Sequence, residues 1–288
     1  MTKKKSWEGL LLCFPSLLLL WGVMGFSISY LFFLSLHEYS YTTAGGMLWH
    51  GITNYVDMLY DSRFWHSLNV SMIYSFMTVL LQIVIGLGLA LLLNRSFKGQ
   101  GVIRILFILP MMLAPVMTGL IFRTLLFSSM FGIFNYLLSF IGIKPIGWLT
   151  SPQWALPSVI SIHTWQWTSF AFLVFLAALQ SFDPDVYEAA EIDGAKKWQV
   201  FRYVTLPLLR PSIVIVAIFR LTIAFRAFGA LYAATEGGPG TATETLNLYT
   251  FTATFKFFRI GYGAALGATL FCLSAIFTII LLKFRRAQ

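Results

Sequence analysis

Residues 183–207 read DPDVYEAAEIDGAKKWQVFRYVTLP, a polar insert between two hydrophobic runs whose chemistry suits neither lipid nor a water-filled pore. Locally the insert reads as a short helix, a glycine break and a second short helix. Asp183 is a good N-cap, Pro184 fits the first helical position, and Asp185 favours the positive end of the helix dipole. Ala189 and Ala190 give a thin surface that another protein can approach closely. Gly194 stops the helix, because glycine takes the left-handed C-terminal conformation without strain. Five of the chain's 11 acids (Asp183, Asp185, Glu188, Glu191 and Asp193) lie within these first eleven residues. So dense a cluster reads either as a solvated loop between spans or as a docking knob for a cytoplasmic partner.

Outward from the insert the chain is apolar. Of its 288 residues 58% are hydrophobic and only 11% charged, with a mean hydropathy of +0.78. Soluble domains carry about 25% charged residues, so this chain belongs in lipid. The net charge of +9 raises nucleic acid as a partner. Its densest basic clusters, Lys3-Lys4-Lys5 and the run from Lys283 to Arg286, flank apolar spans and act as topology signals, so nucleic-acid binding is rejected. Cys13 and Cys272 fall inside apolar runs and read as packing thiols in a chain without a disulfide framework. A lysine cluster before an apolar stretch resembles a signal peptide. The stretch from about Gly9 to Leu36 exceeds the roughly 7–15 residues of a signal core, and no small-residue cleavage site follows, so it reads as an anchor.

A helix crosses a bilayer core with about 20 apolar residues. Six segments qualify, at about 9–35, 67–93, 102–126, 156–181, 206–231 and 260–283. With both termini inside, 13 of the 20 basic residues fall on the cytoplasmic side, Arg95, Lys98, Arg104, Lys196, Lys197, Arg202 and Arg210 among them. The positive-inside rule therefore puts the polar insert in the cytoplasm. The expected fold is an all-α membrane protein of six transmembrane helices with both termini cytoplasmic. It forms one domain over residues 1–288 with a cytoplasmic coupling loop at 183–205. The outer loops, about 36–66, 127–155 and 232–259, are aromatic and too short to be domains; residues 246–260 read as an interfacial helix entering the last span.

Glu188-Ala189-Ala190, Asp193-Gly194-Ala195, Leu206-Pro207 and Pro211 together resemble the EAA loop of ABC-importer permeases. The run from Leu179 to Pro211 is similar to the carbohydrate-uptake branch of that family. Thr235-Glu236-Gly237-Gly238-Pro239, followed by Thr243-Glu244-Thr245-Leu246, resembles a loop of its maltose-permease-like or glycerol-phosphate-permease-like first subunit. The likeness in length and span order covers essentially the whole chain. One departure is that Phe182 and Asp183 precede Pro184 where the family more often has an apolar residue directly before proline. The resemblance implies a type I ABC importer permease in the inner membrane of a bacterium or archaeon. It implies as partners a second homologous permease, ATP-binding cassette subunits, an extracytoplasmic solute-binding protein, membrane lipid and a carbohydrate cargo. ATP and Mg then belong to the partner subunits, and this chain needs no cofactor or metal. Tyr187, Glu188, Ala189, Ala190, Asp193, Gly194 and Ala195 are the implied coupling residues. Gly237, Gly238 and Pro239 are the implied contact with the binding protein. Taken alone, those last residues form a flexible turn, and no lysine or strand makes it a phosphate-binding loop.

The expected spans hold no Asp or Glu, whereas proton-coupled carriers usually need an intramembrane carboxylate. That disfavours a self-contained carrier and fits an ATP-driven partner. What the spans do hold is cationic and amide chemistry. His163, Gln166, Trp167 and Phe170 recur at helical spacing and share a face. His163 lies roughly 10 Å into its span and Arg220 climbs roughly 21 Å of a core about 30 Å thick, so both reach a similar level. Sugar hydroxyls want amide, imidazole and guanidinium partners while their CH faces pack on aromatic rings, which makes these five residues the candidate substrate pathway. The alternatives are structural: His163 as an interhelical hydrogen-bonder, Arg220 paired to backbone carbonyls, Trp165 and Trp167 as lipid-facing bulk. Arg123 and Arg226 read as snorkelling to the interface. Three span arginines keep an anionic cargo such as glycerol phosphate open. An intramembrane enzyme would need a nucleophile, base and orienting carboxylate at one depth. Of the four histidines only His163 is in a span, and no acid accompanies it.

Overall fold

The computed structural model describes residues 3–40, 46–95 and 97–286. Its helices are α1 (Lys3–Ser35), α2 (Thr53–Tyr60), α3 (Ser62–Leu93), α4 (Gln100–Met112), α5 (Pro115–Ile121), α6 (Ile133–Ser139) and α7 (Pro152–Gln180). After them come α8 (Pro184–Ile192), α9 (Lys197–Val200), α10 (Leu206–Ala224), α11 (Gly229–Thr235), α12 (Leu246–Phe251) and α13 (Ile260–Arg286). A two-residue antiparallel pair, β1 (His37–Glu38) and β2 (Leu48–Trp49), sets His37 opposite Trp49. Single π-helical turns follow α5, α9 and α12, at Phe122–Leu126, Phe201–Thr205 and Thr252–Lys256.

Among the described residues five helices are long and apolar enough to cross a membrane, and α4 with α5 makes a sixth if that bent pair is one span. The segment read as a span at about 102–126 is thus bent, by 101° between Met112 and Pro115. The cause is local. A residue before proline is pushed out of the helical region, and Ala114 is extended with ψ 135°, as is Leu113 with ψ 139°. The segment read as a span at 206–231 ends early, at Ala224. Exposed Arg226 donates to the Thr222 carbonyl at 3.4 Å, and after Phe228 the chain restarts as α11. That helix lies so tightly on α5 that a Cβ on Gly119 would come within 2.5 Å of the Ala230 carbonyl oxygen.

By packing, the chain groups into two compact units, residues 1–65 with 249–272 and residues 66–248 with 273–288. The first is organised by buried polar side chains. Asn54 donates to the carbonyls of Ser35 (2.9 Å) and His37 (3.0 Å), while Asp61 accepts the phenol protons of Tyr249 and of Tyr262 (2.6 Å). The guanidinium of Arg63 lies over the Tyr249 ring and that of Arg259 over Tyr262. The second unit is built around α7. One apolar cluster joins Ala171, Phe172 and Phe175 to Ala90, Leu209 and Val216; another joins Val159 and Ile162 to Phe122, Leu231 and Leu248. Small residues allow the close approach that membrane helices depend on: a Cβ on Gly86 of α3 would sit 2.7 Å from the Ala171 Cβ of α7.

Candidate functional site

The second unit holds a guanidinium buried away from water. Arg220, on α10, is 1% exposed. Its Nε donates to Gln82 Oε1 on α3 at 2.8 Å, and its Nη2 donates to His163 Nε2 on α7 at 2.9 Å. Its Cζ lies 4.4 Å from the centroid of the Trp167 ring, one turn along from His163. Gln82 Nε2 closes the set by donating to the His163 carbonyl at 3.3 Å, and Tyr74 meets the His163 ring edge-on at 5.4 Å. Because His163 Nε2 accepts a hydrogen bond, its ring proton sits on Nδ1 and the ring is neutral. The cation therefore rests on neutral acceptors and an aromatic face, a pairing open to guanidinium because it is planar and weakly hydrated. One side chain thus pins α3, α7 and α10 together.

The five residues read as the candidate substrate pathway divide. His163, Trp167 and Arg220 meet, whereas Gln166 points to the broken span and donates to the Leu113 carbonyl at 2.8 Å. That bond satisfies a backbone acceptor released by the bend, as hydrocarbon requires. Phe170 packs on Phe219 of α10, with centroids 6.5 Å apart. Two members of the cluster, Gln82 and Tyr74, were missed by sequence reasoning. The polar amide of Gln82 midway along an apolar span is the signal that could have found it.

The open side of α7 is a different face. Ser161, Thr164, Thr168 and Ser169 line a cavity of about 490 Å³ together with apolar side chains of α3 and α4. Trp165, 44% exposed, joins it to a second cavity of about 470 Å³ framed by Trp148, Trp154, Phe122 and Phe127. No charged side chain lines either cavity. Ser161, Thr164 and Thr168 recur every three or four residues, so this stripe was also visible in the sequence.

At the end of α7 the polar insert folds as two short helices. Asp183 Oδ1 accepts from the Asp185 N–H at 3.1 Å, with Pro184 as the first helical residue. Gly194, at φ +74°, ends α8: its N–H bonds the Glu191 carbonyl and the Ala195 N–H bonds the Ala190 carbonyl, both at 3.0 Å. This pair of bonds is a Schellman motif, which needs a residue free to adopt positive φ. The Gln199 side chain caps α9 by accepting from the Lys196 N–H at 2.7 Å. Glu188, Ala189, Asp193 and Gly194 are exposed, and Tyr187, Ala190 and Ala195 half-buried. Large apolar side chains stand beside them in solvent: Ile192 at 86% exposure, Trp198 at 69% and Tyr203 at 73%. Sequence reasoning named the acids and small residues here but not this apolar set.

The Gly237-Gly238-Pro239 turn is tightly built. Thr243 Oγ1 donates to the Gly238 carbonyl at 2.9 Å and lies 2.7 Å from Thr235 Oγ1, while the Thr243 N–H bonds the Gly237 carbonyl at 3.1 Å. Gly237 has φ +95°, and a Cβ there would meet the Leu248 side chain at 2.8 Å. In the first unit, burial alone would raise the Asp61 carboxyl. The phenol protons of Tyr249 and Tyr262, with the N–H groups of Arg63 and Phe64, outweigh it and hold the carboxyl below the ordinary aspartate value. Burial and the bonded carboxylate push the Tyr249 phenol up to about 12.

Residues 82–287 match the model of a family described as the inner membrane component of binding-protein-dependent transport systems. Among curated relatives, a probable ABC transporter permease protein, y4oQ, of Sinorhizobium fredii is 41% identical over 253 residues, covering 88% of this chain and 81% of the relative. The trehalose/maltose transport system permease protein MalF of Thermococcus litoralis is 36% identical over 236 residues, covering 82% and 79%. Among known structures, a bacterial alginate ABC transporter in complex with an alginate pentasaccharide-bound periplasmic protein aligns with a TM-score of 0.80 at 22% identity. The alignment covers 96% of this chain and 93% of that one. That likeness carries the fold, the architecture of a type I ABC importer permease.

Proposed function

The chain belongs to the family of inner membrane components of binding-protein-dependent transport systems, and on that premise we propose that it is the permease subunit of an ATP-driven carbohydrate importer. The observation that carries this reading is the α8–Gly194–α9 knuckle. It is folded and capped at its own expense, yet none of α8 is buried and its neighbours Ile192, Trp198 and Tyr203 stand in solvent. Apolar side chains exposed at a polar tip mark a surface that a protein partner covers. An ATP-binding cassette subunit is that partner, docking on Tyr187, Glu188, Ala189, Ala190, Asp193, Gly194 and Ala195 from the cytoplasm. ATP and Mg belong to it, and this chain hydrolyses nothing.

In this mechanism closure of the ATP-binding subunits drags the knuckle. Because α8 continues from α7 and α9 leads into α10, the pull falls on two helices that Arg220 ties to each other and to α3. They move as a body, and the opening alternates between the two membrane faces. The cargo passes along the open side of α7, between this chain and a second homologous permease, while His163, Trp167 and Arg220 stiffen the wall behind it. A carbohydrate suits that side through the exposed Ser161 for a polar group and Trp165 for a CH face. The relative named for trehalose/maltose transport supports the same class. The anionic alternative is weakened because the deepest span arginine is buried against Gln82, His163 and Trp167, and the one nitrogen they leave without a partner, Nη1, is closed off as well.

The test is purification with co-expressed partners, followed by a screen of sugars for stimulation of ATP hydrolysis with the binding protein present. At least one saccharide should stimulate the wild-type complex, and Glu188→Arg should abolish the response while the membrane subunits remain assembled. A wild-type complex that answers to amino acids or metal ions but to no sugar overturns the cargo. An undiminished response in Glu188→Arg overturns the coupling role.

A further inference from the structure

Arg123 sits on the π-helical turn after α5, at the end of the second unit away from α8 along α7. The sequence suggests a snorkelling arginine; the structure puts it in the wall of a cavity of about 520 Å³. Ser128, Ser129, Thr150 and Thr235 contribute hydroxyls to that wall, Gly238 and Pro239 close one side, and Arg123 is the only charged residue lining it. One guanidinium N–H is used on the Ala233 carbonyl at 3.3 Å, the side chain is otherwise exposed, and no carboxylate among the described residues pairs with it. The rim is preformed, since the Thr235–Thr243 hydroxyl pair and the Thr243 bonds to Gly237 and Gly238 fix the turn.

We propose that this cavity receives a carboxylate side chain of the extracytoplasmic solute-binding protein. The proposal rests on the importer reading, which puts this end of α7 outside the cytoplasm. A guanidinium fork matches a carboxylate in bidentate geometry, and hydroxyls around it supply further donors. A cavity with one cation and no acid is complementary to a single negative charge. Its walls come from the π-helical turn after α5, the end of α11 and the connections α5–α6, α6–α7 and α11–α12, which favours a protein side chain over a lipid phosphate. A rim held in one conformation adds little ordering cost when a partner docks.

The experiment uses the complete transporter in lipid nanodiscs, titrated with its sugar-loaded binding protein while ATP hydrolysis is followed. The readout is the binding-protein concentration that gives half-maximal stimulation, which loss of folded complex does not move. Arg123→Ala, and independently Thr150→Glu, should each raise it about tenfold or more, as losing or occupying one partner of a buried charge pair does. Arg123→Lys keeps the charge and adds an amine, so carbodiimide should link Lys at this position to an Asp or Glu of the binding protein, located by mass spectrometry. Unchanged half-saturation in both Arg123→Ala and Thr150→Glu overturns the proposal, as does a cross-link to no carboxylate. A shift that follows the anionic-lipid content of the disc, at fixed binding protein, overturns it in favour of a lipid phosphate. A wild-type complex that no binding protein stimulates removes the importer reading itself, whereas a responsive wild type with indifferent variants removes the pocket alone.

Discussion

Arg220 shows how one side chain can tie a membrane helix to its neighbours. Its charge is tolerable at 1% exposure because Gln82, His163 and Trp167 each take part of it. Arg220→Ala strands Gln82 Oε1 and His163 Nε2 without a donor, and hydrogen bonds to charged groups are worth about 1.5–3 kcal/mol each. The detergent-solubilised complex should lose about 3 kcal/mol or more of stability, read as a lower midpoint of thermal unfolding. Arg220→Lys should recover only part of it, since an ammonium lacks the planar fork that reaches both partners at once. An unchanged midpoint for Arg220→Ala would remove the pinning role. His163 and Arg220 were legible at a common depth from residue counting alone. Their meeting with Gln82 was not, because helix rotation is set by what neighbouring helices bring. Asp61 makes a second prediction. Its folded-state value lies below the ordinary one, so its contribution is fully present above the unfolded value of about 3.9 and fades as pH falls through the lower folded value. Asp61→Asn should therefore destabilise by a constant amount at neutral pH and by progressively less below about pH 4. A wild-type-minus-variant difference that stays flat down to about pH 2 would contradict it.

Among the elements, the knuckle was the most readable, because caps and breaks are chemical signals confined to a few residues. Asp183, Pro184 and Gly194 occupy the N-cap, first-turn and C′ positions that their chemistry favours. Gly194→Ala tests the last of these in isolation. No atom outside the local chain lies within 4 Å of its Cβ position, so only the strain of φ +74° remains, about 1–2 kcal/mol. The variant should assemble normally but fray the end of α8, lowering sugar-stimulated ATP hydrolysis several-fold; full stimulation would show that the motif is not needed for coupling. The bend between α4 and α5 was harder to see. Hydropathy is blind to direction, and the 102–126 window is apolar throughout, although Pro115 carried the clue. Helix crossings were illegible altogether, since nothing local marks which glycine lies at a contact. Gly86→Leu should prevent α3 from approaching α7, where even a Cβ meets Ala171 at 2.7 Å, whereas Gly88→Leu meets nothing within 4 Å. The first should abolish recovery of folded complex and the second leave it unchanged, as judged by size-exclusion profile.

At the scale of the whole molecule, the placement of charge bears on what is carried. The three arginines that the sequence puts in spans suggest a path for anions, yet none lines the open side of α7. Arg220 faces the protomer's interior, Arg226 is turned to its own helix end, and Arg123 belongs to the cavity beside the 235–239 turn. The two cavities along α7 hold hydroxyls, tryptophans and phenylalanines without a fixed charge. An anion there would be desolvated without a counter-charge, which costs far more than a hydrogen-bonding neutral solute loses. A pyranose gives up water from its CH faces to the rings and exchanges a hydroxyl partner with the exposed Ser161. If this lining sets the charge of the cargo, a neutral saccharide is the expected one. In proteoliposomes, neutral oligosaccharides should drive ATP-dependent uptake while a uronate oligomer or sugar phosphate of the same size, presented on the same binding protein, should not. Trp165→Ala should cut uptake about tenfold, as the loss of an aromatic contact worth about 1–1.5 kcal/mol implies, and leave assembly intact because that ring is already 44% exposed. Uptake of the charged analogue at the neutral rate would mean that the partner permease supplies the compensating cation, and this chain's lining would then not set the charge of the cargo.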